Sequence, residues 1–450
     1  MPDVAPVAGA IPPAALSPFP SDSTIQRILD QRVAERRTVG IVVGTMEASG
    51  TTRVYQAGSS GQDGCGLDGS TVFEIGSITK TFTTALLADM VLRGEVALDD
   101  PVGKHLPPAV KVPERGGRQI TLYDLATQSS GLPRLPANFH PADLANPYAD
   151  YTADQMYAFL SGYRLERDIG AEYEYSNAGF GLLGHALARR AGTSWETAVE
   201  ERLLGPLGMA DTGVTLTEAL RRRLAIGHDE AFRPVPLWHF STLAGTGALR
   251  STVNDMFKYL AANMDPGSSP LGKALAMTHT SRREAEGAQM TVGLAWHIMP
   301  APDGASLVWH NGGTGGYRSF IGFDPVKRAG VVILTNSAIG VDDIGMHLID
   351  RGFPVAVVRN EVEIGPRALE RYIGVYQFAP GMGLTVTLED GRLFAEVTGK
   401  AKVLLYAESE TAFFIKEADS LLRFVTDGSG TATALILQQG GRDMEAPKVA

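Results

Sequence analysis

Cysteine is almost absent from this chain of 450 residues: Cys65 stands alone, which excludes an intramolecular disulfide and any cysteine-based metal cluster. No block of lysine and arginine interleaves with aromatics, and the 40 basic residues are outnumbered by 50 acidic ones, a formal charge of -10. Nucleic acid is therefore excluded as an expected partner. The only compact basic run, Arg221 to Arg223, follows a helical stretch beginning near Thr217 and reads as a solvated helix end. No apolar stretch approaches membrane-spanning length, so no membrane span is expected. The Pro- and Ala-rich start lacks the basic opening and long apolar core of a signal peptide. The chain as it stands reads as soluble and cytoplasmic, or as periplasmic or secreted if a signal has been removed.

Several kinds of chemistry are missing as well. There is no Gly-x-Ser-x-Gly elbow, which argues against an α/β-hydrolase, and no phosphate loop or His-Glu-x-x-His pair. The nine histidines are scattered, so no metal is expected, and no motif calls for a cofactor. Gly64-x-Gly66-x-x-Gly69 matches a dinucleotide fingerprint literally, yet Ser70-Thr71-Val72-Phe73 opens no helix after it.

What is present is an ordinary globular composition, 44% hydrophobic and 20% charged, with 51 glycines that imply many loops. The length predicts two domains. After a loose segment at 1–21, Ser21-Asp22 offers a helix cap, and runs at 38–46 and 52–57 read as a hairpin across Glu47-Ala48-Ser49-Gly50. A helical middle section extends from Ser77 to about residue 290. Strand patterning returns at 292–299, 306–310, 317–324 and 330–335. The expected fold class is α/β (α+β): one antiparallel sheet built from N- and C-terminal strands, with a helical region inserted between them. Residues 22–355 would form that domain and 356–367 a linker. Short alternating runs such as Leu384 to Leu388 and Leu393 to Val397, split by Glu389-Asp390-Gly391-Arg392, predict a small all-β barrel at 368–450.

Three segments carry candidate chemistry. Ser77-Ile78-Thr79-Lys80 opens a helix, and residues three apart on a helix are neighbours, so the Lys80 amine can lie beside the Ser77 hydroxyl. A serine alcohol needs a base, and a lysine serves only when desolvated or near positive charge. Between Ile78 and Leu92 the only charged residues are Lys80 and Asp89, so this helix should be buried and its amine desolvated. Tyr175-Ser176-Asn177 offers a phenol that can relay protons and an amide that can donate and accept. A turn with a packed tyrosine and a capping Asn would look the same. His310-Asn311-Gly312-Gly313 follows a strand, where glycine lets substrate approach the backbone and frees N–H groups for an oxyanion hole.

In their order and approximate spacing, Ser77-x-x-Lys80, Tyr175-x-Asn177 and His310-x-Gly312 resemble the serine β-lactamase and penicillin-binding-protein superfamily. The branch resembled is that of class C β-lactamases, DD-peptidases, D-aminopeptidases and family VIII carboxylesterases. Segments 125–133, 206–209 and 247–252 agree, and the tail resembles the lipocalin-like domain often appended to such hydrolases. The resemblance implies a serine hydrolase or acyltransferase that forms a Ser77 acyl-enzyme on a small-molecule or peptide substrate. Lys80, Tyr175 and His310 would be catalytic. Asn177, Asn311, Gly312 and Gly313 would bind substrate, with the Ser77 and Gly313 amides as oxyanion hole. Two departures stand out. His310-Asn311-Gly312 replaces the Lys-Thr-Gly usual in class C enzymes, a form more familiar from peptidases, amidases and esterases, and Gln128 replaces a common histidine. A class C-like β-lactamase, aminolysis or cyclisation of peptides, and a non-catalytic binder of β-lactams or peptidoglycan fragments stay open as alternatives, as does homo-oligomerisation.

Overall fold

The computed structural model describes residues 17–285, 290–356, 361–379, 382–398, 402–415, 420–439 and 442–449. Most of the expected loose start (1–16) and part of the expected linker (357–360) lie outside the described residues. The chain divides into two compact units between Phe353 and Pro354.

In the first unit, Ser21 caps helix α1 (Asp22–Ala34) by accepting the Thr24 N–H at 3.2 Å. Strands β1 (Gly40–Met46) and β2 (Thr52–Gly58) pair antiparallel through the Gly50 turn. A short β3 (Phe73–Glu74) leads to a 3₁₀ turn at Gly76–Ile78 and then to helix α2 (Thr79–Leu92). Helix α3 (Asn177–Ala191) lies in the inserted region, whose later part holds β4 (Arg250–Ser251), the partner of β3, and helix α4 (Val253–Met264). The chain then returns through β5 (Arg283–Ala285), β6 (Met290–Val292), β7 (His297–Pro300), β8 (Ser306–Gly313), β9 (Arg318–Asp324), β10 (Ala329–Thr335) and helix α5 (Asp342–Ile349).

Among the described residues these strands form one antiparallel sheet in the order β2-β1-β10-β9-β8-β7-β6-β5, so the first and last strands of the unit lie side by side. All seven residues of β1 and of β10 are buried, because helices cover both faces there. On one face α4 packs so closely that a Cβ on Gly44 or Gly330 would meet Phe257 or Leu260 below 3 Å. On the other, α5 presses Gly345 onto Phe320, and Arg32 of α1 pairs with Asp343. The expected single strand at 292–299 is two strands. The chain folds back between them with Gly293 N–H bonded to Trp296 O at 2.8 Å and Ala295 at φ +68°, a local turn that hydrophobic patterning does not reveal.

The second unit is all β. One sheet holds β11 (Gly374–Ala379), β12 (Met382–Glu389), β13 (Arg392–Val397) and β14 (Val403–Leu404). The other holds β15 (Tyr406–Ala407), β16 (Ala412–Ile415), β17 (Ser420–Thr426), β18 (Ala432–Gln439) and β19 (Arg442–Pro447). Asp390 and Gly391, both at positive φ, make the two-residue turn whose twist suits a hairpin. Tyr376 bridges to Lys448, which joins the two sheets around a core containing Tyr372, Phe413 and Phe424. Val362 N–H bonds Ala407 O at 2.8 Å and Ile364 packs on the same core.

Asp342 generates a stability prediction. Burial raises its carboxyl from 3.8 to about 6, while the Asn311 amide holds the ionised form only in part. Between those values the folded chain keeps a proton that the unfolded chain releases, so stability falls as pH rises through this window. Asp342→Asn should therefore raise stability near pH 8 by on the order of 1–2 kcal/mol and by almost nothing near pH 3. Urea melts at the two pH values check this, and an equal gain at both contradicts it.

Candidate active site

The Ser77 turn is held against β8 by the absence of side chains. A Cβ on Gly312 would stand 2.0 Å from Ile75 O, and one on Gly76, which sits at φ +49°, would stand 2.6 Å from Gly313 N. Ser319 Oγ donates to the same Ile75 carbonyl at 2.7 Å. Glycine at both places is what lets the main chain of the serine turn and that of Gly313 touch.

Helix α2 is buried along twelve of its fourteen residues, from Thr79 to Met90, so the Lys80 side chain has no route to water. Its Nζ lies 2.9 Å from Ser77 Oγ and donates to Thr246 O at 2.8 Å. The residue is 0% exposed. Burial pushes its amine well below the ordinary lysine value, and the positive charge of Arg134 adds to the effect. It also faces two rings, with Tyr175 at 4.8 Å and Phe180 at 5.8 Å from the amine to the centroids.

Tyr175 reaches the amine from the loop that precedes α3. Gln128, a non-glycine residue at φ +58°, grips both sides of this loop. Its backbone oxygen accepts Glu174 N–H at 2.7 Å and its side-chain oxygen accepts Ser176 N–H at 2.8 Å. Ser176 then caps α3 by accepting Gly179 N–H at 2.8 Å. Burial lifts the Tyr175 phenol above its usual range, opposed by its hydrogen bond with Ser77. The first residue of α3 is Asn177, whose amide donates to Tyr148 OH at 2.9 Å and whose Oδ1 is buried with no partner. Tyr148 stands in an aromatic wall with Phe240, Trp238 and Phe139, at ring separations of 4.6, 5.4 and 5.1 Å.

His310 lies on β8 with its ring stacked 4.9 Å from that of His297 on β7, and 6.4 Å from Tyr175. Its Nδ1 meets Asn311 O at 2.5 Å, while Nε2 is buried and unpartnered. Burial lowers His310 well below its ordinary value, and His297 and Lys80 press it further. His297 is pushed down to about 4 by burial and by Lys80, and its Nε2 stands 3.3 Å from Tyr173 OH. Both rings are therefore neutral near pH 7.

The structure thus gathers Ser77, Lys80, Tyr175, Asn177, His310, Gly312 and Gly313, and leaves one expected residue aside. Asn311 pairs with Phe320 across the ladder, on the face that α5 covers, and its amide donates to Asp342 at 2.6 Å. Successive strand residues point to opposite faces, so with His310 toward Ser77 the Asn311 side chain must point away. Sequence reasoning missed Thr246, Tyr148, His297 and Arg134. Thr246 and Arg134 directly adjoin segments singled out in the sequence, at 247–252 and 125–133, whereas nothing local marks Tyr148 or His297.

Comparison with known proteins bears on both units. A family model described as Beta-lactamase matches residues 25–349, and one described as Domain of unknown function (DUF3471) matches residues 358–447. A Beta-lactamase from Pseudomonas fluorescens is 28% identical over 350 residues, covering 70% of this chain and 92% of that protein. The D-alanyl-D-alanine-carboxypeptidase/endopeptidase AmpH of Escherichia coli (strain K12) is 30% identical, covering 60% of this chain and 72% of that one. Among solved structures, a Beta-Lactamase/D-Alanine Carboxypeptidase from Pseudomonas syringae superposes with a TM-score of 0.61 at 23% identity, covering 70% of this chain and 94% of its own. A class C beta lactamase does so with a TM-score of 0.64 at 24% identity, covering 73% and 98%. At these identities the two structures speak for the fold.

Gln128 makes a testable contribution. Gln128→Leu strips the buried Ser176 N–H of its acceptor, a loss of about 2 kcal/mol in stability, and should slow turnover by loosening Tyr175. Gln128→His, which again presents a lone pair, should recover most of both. Denaturant midpoints and ester turnover on the two variants check this, and a Leu variant as stable and active as the parent contradicts it.

Proposed function

Because the chain belongs to the Beta-lactamase family, within the serine hydrolase superfamily of class C β-lactamases and DD-peptidases, we propose that it transfers acyl groups from an ester, amide or peptide carbonyl through a Ser77 acyl-enzyme. The observation that carries this reading is the fully buried Lys80 amine 2.9 Å from the Ser77 hydroxyl. An amine whose ammonium form is disfavoured gives up its proton more readily than an ordinary lysine, and once neutral its lone pair can accept from that hydroxyl across the 2.9 Å contact. As Oγ attacks the carbonyl carbon, its proton passes to Lys80, and the carbonyl electrons move to an oxygen held by the Ser77 and Gly313 amides.

Tyr175 acts as relay, not as resting base, since burial keeps its phenol protonated. It gives its proton to the leaving group while taking one from Lys80, and then takes one from the water or amine that attacks the acyl-enzyme while its own returns through Lys80 to Ser77 Oγ as the acyl–Oγ bond breaks. Asn177 orients the acyl amide with its unpartnered Oδ1. His310, donating from Nδ1 to Asn311 O, keeps a lone pair on Nε2 and so accepts a hydrogen bond from substrate. A neutral imidazole there offers a β-lactam carboxylate no cation of the kind that lysine provides in class C enzymes. This favours peptidase, amidase or esterase activity over efficient β-lactam hydrolysis.

Ser77→Ala should abolish covalent labelling by a fluorophosphonate, read by intact-protein mass spectrometry, and persistent labelling would remove Ser77 from the reaction. Lys80→Ala should slow acylation by roughly 10²–10⁴-fold. In the parent protein kcat/KM should fall toward acid as Lys80 takes up its proton, on a limb lying well below the ordinary lysine range. A panel of p-nitrophenyl esters, D-amino-acid p-nitroanilides and nitrocefin separates the substrate classes. Dominant nitrocefin turnover would overturn the preference, and binding without turnover of any would indicate a catalytically silent receptor.

A further inference from the structure

Arg134 follows the 125–133 segment, and its backbone carbonyl accepts the N–H groups of Asn177 and Ala178 at 2.9 and 3.2 Å. Its main chain is therefore fixed to the first turn of α3, the turn that presents Asn177. From there its guanidinium carbon lies 5.4 Å from the centroid of the Tyr175 ring, the same ring that faces the Lys80 amine. A guanidinium over a ring face is attracted by its π-electrons and keeps N–H donors available for a further partner.

That edge is unused. Arg134 is exposed, and among the described residues no carboxylate or carbonyl engages its guanidinium. The acids around the site are committed elsewhere: Glu174 to Arg167, Glu74 to Arg250 and Asp342 to Asn311. A protein of net charge -10 thus carries an uncompensated, pre-positioned cation beside its buried nucleophile. The neutral His297 and His310 supply no competing charge.

Resting on the reading of Ser77 as nucleophile, we infer that Arg134 is a specificity-determining residue that receives a carboxylate borne on the acyl part of the substrate, beside the amide that Asn177 orients. The fork of N–H donors fits both oxygens of such a group. The favoured substrates are therefore dicarboxylic half-esters and half-amides, or peptides with an acidic residue on the acyl side of the cleaved bond.

The test compares p-nitrophenyl hemisuccinate with p-nitrophenyl butyrate, which differ chiefly in the terminal charge, on the full chain. The quantity read is the ratio of their kcat/KM values. Arg134→Gln should lower that ratio about tenfold through KM, Arg134→Lys should lower it less, and Arg134→Glu should lower it further and favour a 4-aminobutyrate ester. Raised salt should shrink the ratio in the parent and leave it unchanged in Arg134→Gln. A ratio that is the same in the parent, Gln and Glu proteins, even with both esters slowed together, would overturn the assignment and leave Arg134 as a prop for Tyr175. If the parent turns over neither ester, the hydrolase reading fails separately. Calorimetric titration of Ser77→Ala with N-succinyl-D-alanine amide and N-butyryl-D-alanine amide then decides the Arg134 assignment, and equal affinities refute it.

Discussion

One amine kept from water organises this site. Ser77 and Lys80 would be neighbours on any helix, but proximity alone leaves an ordinary ammonium beside an ordinary alcohol. The difference is made by α2 being apolar on nearly every side and by Thr246, Tyr175 and Phe180 closing around Nζ. Burial of a charge with a single carbonyl acceptor is unfavourable, and this lowers the amine's pKa. The packing that stabilises the fold thereby favours the protonation state that the proposed chemistry uses.

The surroundings follow the same logic. Two histidines and three tyrosines lie close to this amine or its partners, and burial holds each in its uncharged form. The result is a cleft of neutral donors and acceptors beside one cation, which suits negative charge appearing on a substrate oxygen. A buried carboxylate facing the serine would oppose it. The acid nearest in sequence, Glu74, has both its Arg250 partner and the Trp238 N–H to compensate it.

Much of this was legible in the sequence because the decisive pairs are local. A spacing of three on a helix brings Ser77 to Lys80, and a spacing of two on a strand puts His310 and Gly312 on one face. The same alternation rules out Asn311, which sits between them and faces Asp342. Tyr148, His297 and Thr246 were illegible for the opposite reason. Tyr148 and Thr246 reach the site across 29 and 166 residues through loop packing rather than any periodicity, and His297 reaches it from the neighbouring strand, opposite Trp309 in the ladder. The turn dividing β6 from β7 was hidden because its apolar residues are buried in the core and read as an uninterrupted strand.

The pairing of β1 with β10 also bears on how the protein comes into being. Thr38, at its edge, bonds Thr335 across 297 positions, and the Ser77 turn rests on a strand 244 positions further along through Ile75 and Ser319. During synthesis the first hairpin emerges long before its neighbour in the sheet exists, so closure of this layer waits for almost the whole unit. The Ser77 turn, which rests on that later strand, cannot take its final place before then.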